Sequence, residues 1–300
     1  MRSTMLTLSL LACLGLAPQT LPAQPPMAVA TAAVAAADPS LQLQELVRHF
    51  RSNDLVGLVR GSVPPAHYQT LLDKYEQARQ RPTTESQRAE FAESVQKLIA
   101  PDAVDTLMAE IEPKLTERAA QSEGMILLGL GALNMAVTSP DSDLTEEQRA
   151  MLKAALPGIE AWVIQTDFFS VDTLRQALTL VADAARRTGI SELEQFKMLS
   201  FEQVLGHGGR MLAAGKQAVK LYGIDLDAIA STARMDVLEV DGDEARVRTT
   251  FTVFDAPLHF EQTLVQVDGR WYTREAAREW NEHVHIEFGD EDSTGPASEG

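Results

Sequence analysis

The sequence predicts an α+β protein: a mainly α-helical bundle followed by a small antiparallel β-meander of about four strands, packed on a helix. Three observations carry that expectation. Between Asp38 and Tyr222 apolar residues recur every three or four positions, as in Val104, Leu107, Met108, Ile111 and Leu115, which is the stripe of an amphipathic helix. From Ala245 to Val267 the spacing falls to two, the period of a pleated strand. Sequences of the form Ser/Thr-x-x-Glu/Gln stand where several of the helical stripes begin, and these are capping-box signatures.

The N-terminus places one Arg before an apolar run from Met5 to Ala17, then a polar stretch ending Leu21-Pro22-Ala23. This is the order of a secretory signal peptide, so residues 1–23 are expected to be removed and the protein exported, to the periplasm or beyond. The alternative is a membrane-anchored lipoprotein, because Leu10-Leu11-Ala12-Cys13 resembles a bacterial lipobox. Cys13 is the only cysteine. Cleavage after Ala23 would leave no disulfide, no thiol nucleophile and no thiolate metal site. Residues 24–38 are rich in Ala and Pro and read as a linker.

Residues 39–222 are expected to form the helical domain, with some seven to nine helices by periodicity. Thr84/Gln87, Thr145/Gln148, Ser191/Glu194 and Ser200/Gln203 match the capping box, while Pro64-Pro65, Pro82, Pro101, Pro140 and Gly189 punctuate between stripes. Asp54, Asp102, Asp143 and Asp172 stand near helix starts, where a negative side chain suits the dipole. Met125 to Val137 is apolar on every side. A helix apolar all round is expected at the buried centre of a bundle, with Gly129 and Gly131 admitting a neighbouring backbone. The functional alternative is a partner-binding or membrane-inserting hairpin.

Residues 223–288 are expected to form the sheet region. A short helix at Asp225 to Thr232 precedes strands at Met235–Val240, Ala245–Phe254, Leu258–Val267 and from Arg270. Turns are expected at Asp241-Gly242-Asp243, at Asp255-Ala256-Pro257 and at Asp268-Gly269. Ala245, Val247, Thr249, Phe251 and Val253 share one face of the second strand. Thr273 to Glu282 can be helical, and residues 289–300 read as a disordered acidic tail.

The segments Val237 to Val253 and Val267 to Tyr272, ending Val-Asp-Gly-Arg-Trp-Tyr, resemble the last part of NTF2-like and lumazine-binding-like lipoprotein domains. The helical part resembles uncharacterised exported bacterial proteins. The NTF2-like resemblance implies a curved sheet wrapping a helix around a concave pocket. Phe251, Phe260 and Trp271 are the candidate residues lining such a pocket.

No complete catalytic motif is present. Gly206-His207-Gly208-Gly209 imitates an oxyanion loop, but no Gly-x-Ser-x-Gly elbow accompanies it. Lys216 is followed by Gln217 rather than Ser or Thr, and five residues separate Gly209 from Gly215, so the same stretch is not a phosphate loop. It reads as a helix break or a close-packing point. His283, His285 and Glu287 are ligand types zinc favours, yet no further ligand pair completes the set. His49, His67 and His259 are isolated in sequence, and His259 is expected to meet solvent. No cofactor, metal site or catalytic residue is therefore assigned.

The chain carries 43 acidic against 26 basic residues, a formal net charge of −17. A surface this acidic repels phosphate backbones and anionic membranes. The expectation is a non-catalytic envelope protein that binds a partner protein or a small apolar ligand, without nucleic acid and without a transmembrane span in the mature chain. The alternatives are an exported hydrolase acting through His207 or the late histidines, and a structural or chaperone-like envelope protein, which would expose large apolar patches.

Overall fold

The computed structural model describes residues 38–139 and 144–278. The expected signal peptide, the expected linker up to residue 37, Asp143, the His283–Glu287 group and the acidic tail lie outside the described residues. Among the described residues nine helices precede the sheet region: α1 (Pro39–Arg51), α2 (Leu55–Ser62), α3 (Pro65–Gln80), α4 (Glu85–Ile99), α5 (Ala103–Thr138), α6 (Glu146–Gln165), α7 (Val171–Arg186), α8 (Leu193–Met198) and α9 (Phe201–Lys220). Then follow α10 (Leu226–Ser231), β1 (Arg234–Asp241), β2 (Glu244–Val253), β3 (Ala256–Val267), β4 (Arg270–Thr273) and α11 (Arg274–Arg278). This is the α+β order the sequence predicts.

Local chemistry sets the helix starts. Thr84 Oγ1 accepts from the Gln87 amide at 3.2 Å while Gln87 Oε1 accepts from the Thr84 amide at 2.9 Å, satisfying two orphan donors. Thr145/Gln148 and Ser200/Gln203 repeat the arrangement. The fourth box is displaced by one residue: α8 begins at Leu193, so Gln195 rather than Glu194 occupies the third helical position, and its Oε1 accepts from the Ser191 and Glu192 amides. Asp54 caps α2 by accepting from the Gly57 amide at 2.8 Å.

Two helices joined differently from expectation. The Val104–Leu115 stripe and the Met125–Val137 run belong to one helix, α5, which continues through Pro113. Its 36 residues extend for about 54 Å at 1.5 Å each. The Gly206–Gly209 cluster lies inside α9 rather than in a loop. Gly209 is a close-packing point, since a Cβ there would come within 2.3 Å of the Asn53 carbonyl oxygen.

The sheet is antiparallel in the order β1-β2-β3-β4. A bulge at Leu238 interrupts the pairing of β1 with β2. Ala245, Val247, Thr249, Phe251 and Val253 share the inner face with Leu264, Phe260 and Leu258 opposite them. Leu43 and Leu46 of α1 pack across this face against Ala245, Val247, Leu264 and Trp271, with Met235 at the edge. On the outer face Arg246 pairs with Glu239 and Glu261, and Arg248 with Glu261. Trp271 and Tyr272 point to opposite faces and both are buried.

The β2–β3 turn falls at Phe254-Asp255, one residue earlier than expected, with φ of 50° and 60°. Ala256 and Pro257 belong to β3. Pro257 costs no ladder bond, because its partner Thr252 directs its own amide away, to Thr232 Oγ1 at 2.8 Å. A phenylalanine with positive φ is unusual, and tertiary contact holds it. The Phe254 ring lies 5.3 Å from that of Trp162, and a Cβ on Gly158 would meet the Phe254 Cβ at 2.5 Å. The hairpin tip is therefore seated on α6.

Among the described residues β4 pairs with Leu264–Val267 alone. Over the stretch β4 does not reach, the His259 amide donates to Met151 Sδ at 3.2 Å, so α6 covers that edge. Elsewhere Phe201 of α9 packs against Tyr68 and Tyr75 of α3, and Trp162 Nε1 donates to the Tyr222 carbonyl at 2.6 Å.

Candidate functional site

The second half of α5 is the anomaly of the molecule. Residues 124–140 contain no ionisable side chain. Along the helix Ile126, Leu130, Leu133 and Val137 follow heptad spacing and turn inward, with Val137 fully buried. The rest of the surface is bare. Met125 is 53% exposed, Leu127 67%, Leu128 75% and Met135 71%. This overturns the expected burial of Met125–Val137. Gly129 and Gly131 do not admit a neighbour either, since a Cβ at each would meet nothing within 4 Å. Periodicity explains the error. An apolar circumference is common to a helix surrounded by its own chain and to one that is covered by something else.

The helix is anchored where it ends. The Ser139 amide donates to the Met135 carbonyl at 2.8 Å, and the Arg149 guanidinium of α6 donates to the Ser139 and Leu144 carbonyls. The bare face is thus carried on a fixed helix, stabilised at its C-terminal end by a cation where the dipole favours one.

Of the pocket residues expected from the NTF2-like resemblance, Phe251 and Phe260 stand together and Trp271 stands apart. Phe251 and Phe260 are half-buried and stacked, with centroids 6.2 Å apart. Trp271 pairs with Gln266, six residues along β3 from Phe260, or about 20 Å at the rise of a strand. It is 1% exposed in the core beneath α1. A surface depression of about 630 Å³ touches it from outside, lined by Leu41, Gln42, Glu45, Arg48 and Arg270. Leu43 and Trp271 fill the sheet's interior at this end.

His207 sits on the middle of α9, where the amides after the first turn are committed to the helix ladder and cannot form an oxyanion hole. Burial pushes its imidazole below the ordinary range, and the Arg210 charge adds to the shift. Two histidine pairs escaped the sequence. His49 Nδ1 lies 2.7 Å from Asp54 Oδ2; the Gly57 amide donating to Asp54 holds that carboxyl below its usual range, and His49 reinforces the shift. His259, expected in solvent, meets Glu147 at 2.6 Å. His67 contacts the Ala276 carbonyl at 3.1 Å. Among the described residues no nucleophile hydroxyl is hydrogen-bonded to any of these rings. Lys216 is buried, donating to the Phe50 carbonyl and to Asp227, which ties α9 to α1 and α10.

Among the described residues no three His, Cys, Asp or Glu side chains gather as a metal site, and no helix is long and apolar enough to cross a membrane. No protein-family model matches the sequence, and no curated protein or solved structure matches it.

Proposed function

We propose that this is an exported, non-catalytic protein of the cell envelope that acts by binding another protein through the bare face of α5. One observation carries the reading: four large apolar side chains, each more than half exposed, share an uncharged stretch of a single anchored helix. Covering them would contribute about 4 to 8 kcal/mol, taking roughly 1.5–3 for each fully buried Leu or Met and scaling by the fraction of each that is exposed. Contiguous apolar patches mark interaction sites. A bilayer fits poorly, because interfacial helices carry Lys and Arg beside the apolar face, and this chain is strongly acidic.

The test is a photo-activatable side chain at Leu128 or Met135 in the intact envelope, with exposed Glu90 of α4 as control. Adducts of discrete mass at the α5 positions alone support the reading. Equal or absent labelling at all three sinks it. A chaperone-like role rests on the same exposure and would instead give adducts to many unrelated proteins. The NTF2-like reading of the sheet is supported by α1 lying across its inner face; a ligand there would have to displace Leu43 or enter beside Phe251 and Phe260.

A further inference from the structure

We infer that the occupant of this face is a second copy of the same chain, with the two α5 helices antiparallel about a two-fold axis near Gly131 and Ala132. The inference rests on the reading of α5 as an interface and names its partner. The bare face is self-complementary. Counting outward from the midpoint of Gly131 and Ala132, Leu128 falls opposite Met135, Leu127 opposite Ala136, and Asn134 opposite Gly129. Small residues thus lie at the centre, where two backbones must approach, and bulky ones face small ones or flank the axis. An isologous contact needs this kind of self-matching patch.

Charge points the same way. Two chains of net charge −17 repel one another wherever acidic surface meets acidic surface. Residues 124–140 contribute none of that charge, so copies can meet there without juxtaposing like ions. The area sets the strength. An exposed patch of about 300–600 Å² on each copy falls at or below the roughly 1,200 Å² total at which stable interfaces begin. The pairing is accordingly reversible and concentration-dependent.

Sedimentation of the purified exported protein over a hundred-fold concentration range tests this. Wild type should pass from monomer to dimer. Leu128→Glu should remain monomeric. So should Gly131→Leu, at a position where an added Cβ meets nothing within 4 Å, and its unfolding temperature should not fall. Geometry is read by disulfide formation in a Cys13→Ser background. Ala132→Cys should couple two chains readily. Met125→Cys should not, because the antiparallel arrangement holds those positions about 20 Å apart. A wild type that stays monomeric overturns the pairing, as does a dimer that persists in Leu128→Glu. A monomer whose Leu128 photo-adduct is a different protein also overturns it, while leaving the α5 interface standing. Monomer that co-sediments with phosphatidylcholine vesicles, and loses this in Leu128→Glu, overturns both.

Discussion

Leu43 of α1 and Leu128 of α5 both lie on apolar helical faces, and their fates are opposite. Leu43 is 9% exposed beneath the sheet, whereas Leu128 is 75% exposed. α1 has a narrow apolar stripe and a polar remainder, and Leu43 and Leu46 of that stripe pack against Ala245, Val247, Leu264 and Trp271. The second half of α5 has more apolar surface than its own chain covers. The lesson is that width of the apolar face, compared with what the fold can bury, separates a helix that completes a core from one that offers an interface.

Truncating one large side chain in each region has the largest expected effect. Trp271→Ala should cost about 3–5 kcal/mol in denaturant unfolding, because it opens a cavity among the largest side chains of the core. Leu128→Ala should change stability of the monomer by no more than about 0.5 kcal/mol, as surface substitutions do. Comparable losses at both positions would mean that α5 is covered within the monomer.

Two helical glycines sharpen the contrast with smaller effects. Gly158→Ala pushes a methyl into the Phe254 Cβ and carbonyl oxygen, both 2.5 Å from the new atom, and should destabilise by about 1–3 kcal/mol through overpacking. Gly129→Ala adds a methyl in open space and should stabilise the monomer by about 1 kcal/mol, the difference in helix propensity. Opposite signs in thermal unfolding are the expected result. A stabilised Gly158→Ala would show that the hairpin tip is not seated on α6.

What was legible in the sequence was local. Capping boxes at Thr84, Thr145 and Ser200 need only residues three apart, and Asp268-Gly269 specifies its own turn by positive φ at both positions. The Phe254-Asp255 turn was misplaced because its conformation is enforced by Gly158 and Trp162, nearly a hundred residues upstream. His259 and Glu147 are 112 residues apart, and no spacing announces such a pair. The α5 surface was visible as an apolar run, but its exposure depends on how much covering chain the fold supplies. Phe251, Phe260 and Trp271 share the inner face of the sheet, but their separation along β3 is set by a strand register that the sequence does not announce.

The smallest expected effect concerns the contact between α6 and the sheet. Hydrogen bonding to His259 holds the Glu147 carboxyl below its usual value, with the His259 and Arg248 charges adding to the shift. A carboxyl depressed in the folded state binds its proton less readily there than in the unfolded chain. Its contribution to stability is therefore present above the unfolded value near 4.5 and is lost as pH falls through the lower folded value. Glu147 is solvent-exposed, so the change is slight. Unfolding midpoints of wild type and Glu147→Gln should differ at neutral pH and converge in acid. Curves that stay parallel down to acid pH would mean that the Glu147–His259 contact does not brace α6 against β3, leaving the Met151 and Phe254 contacts as the attachments of that helix to the sheet.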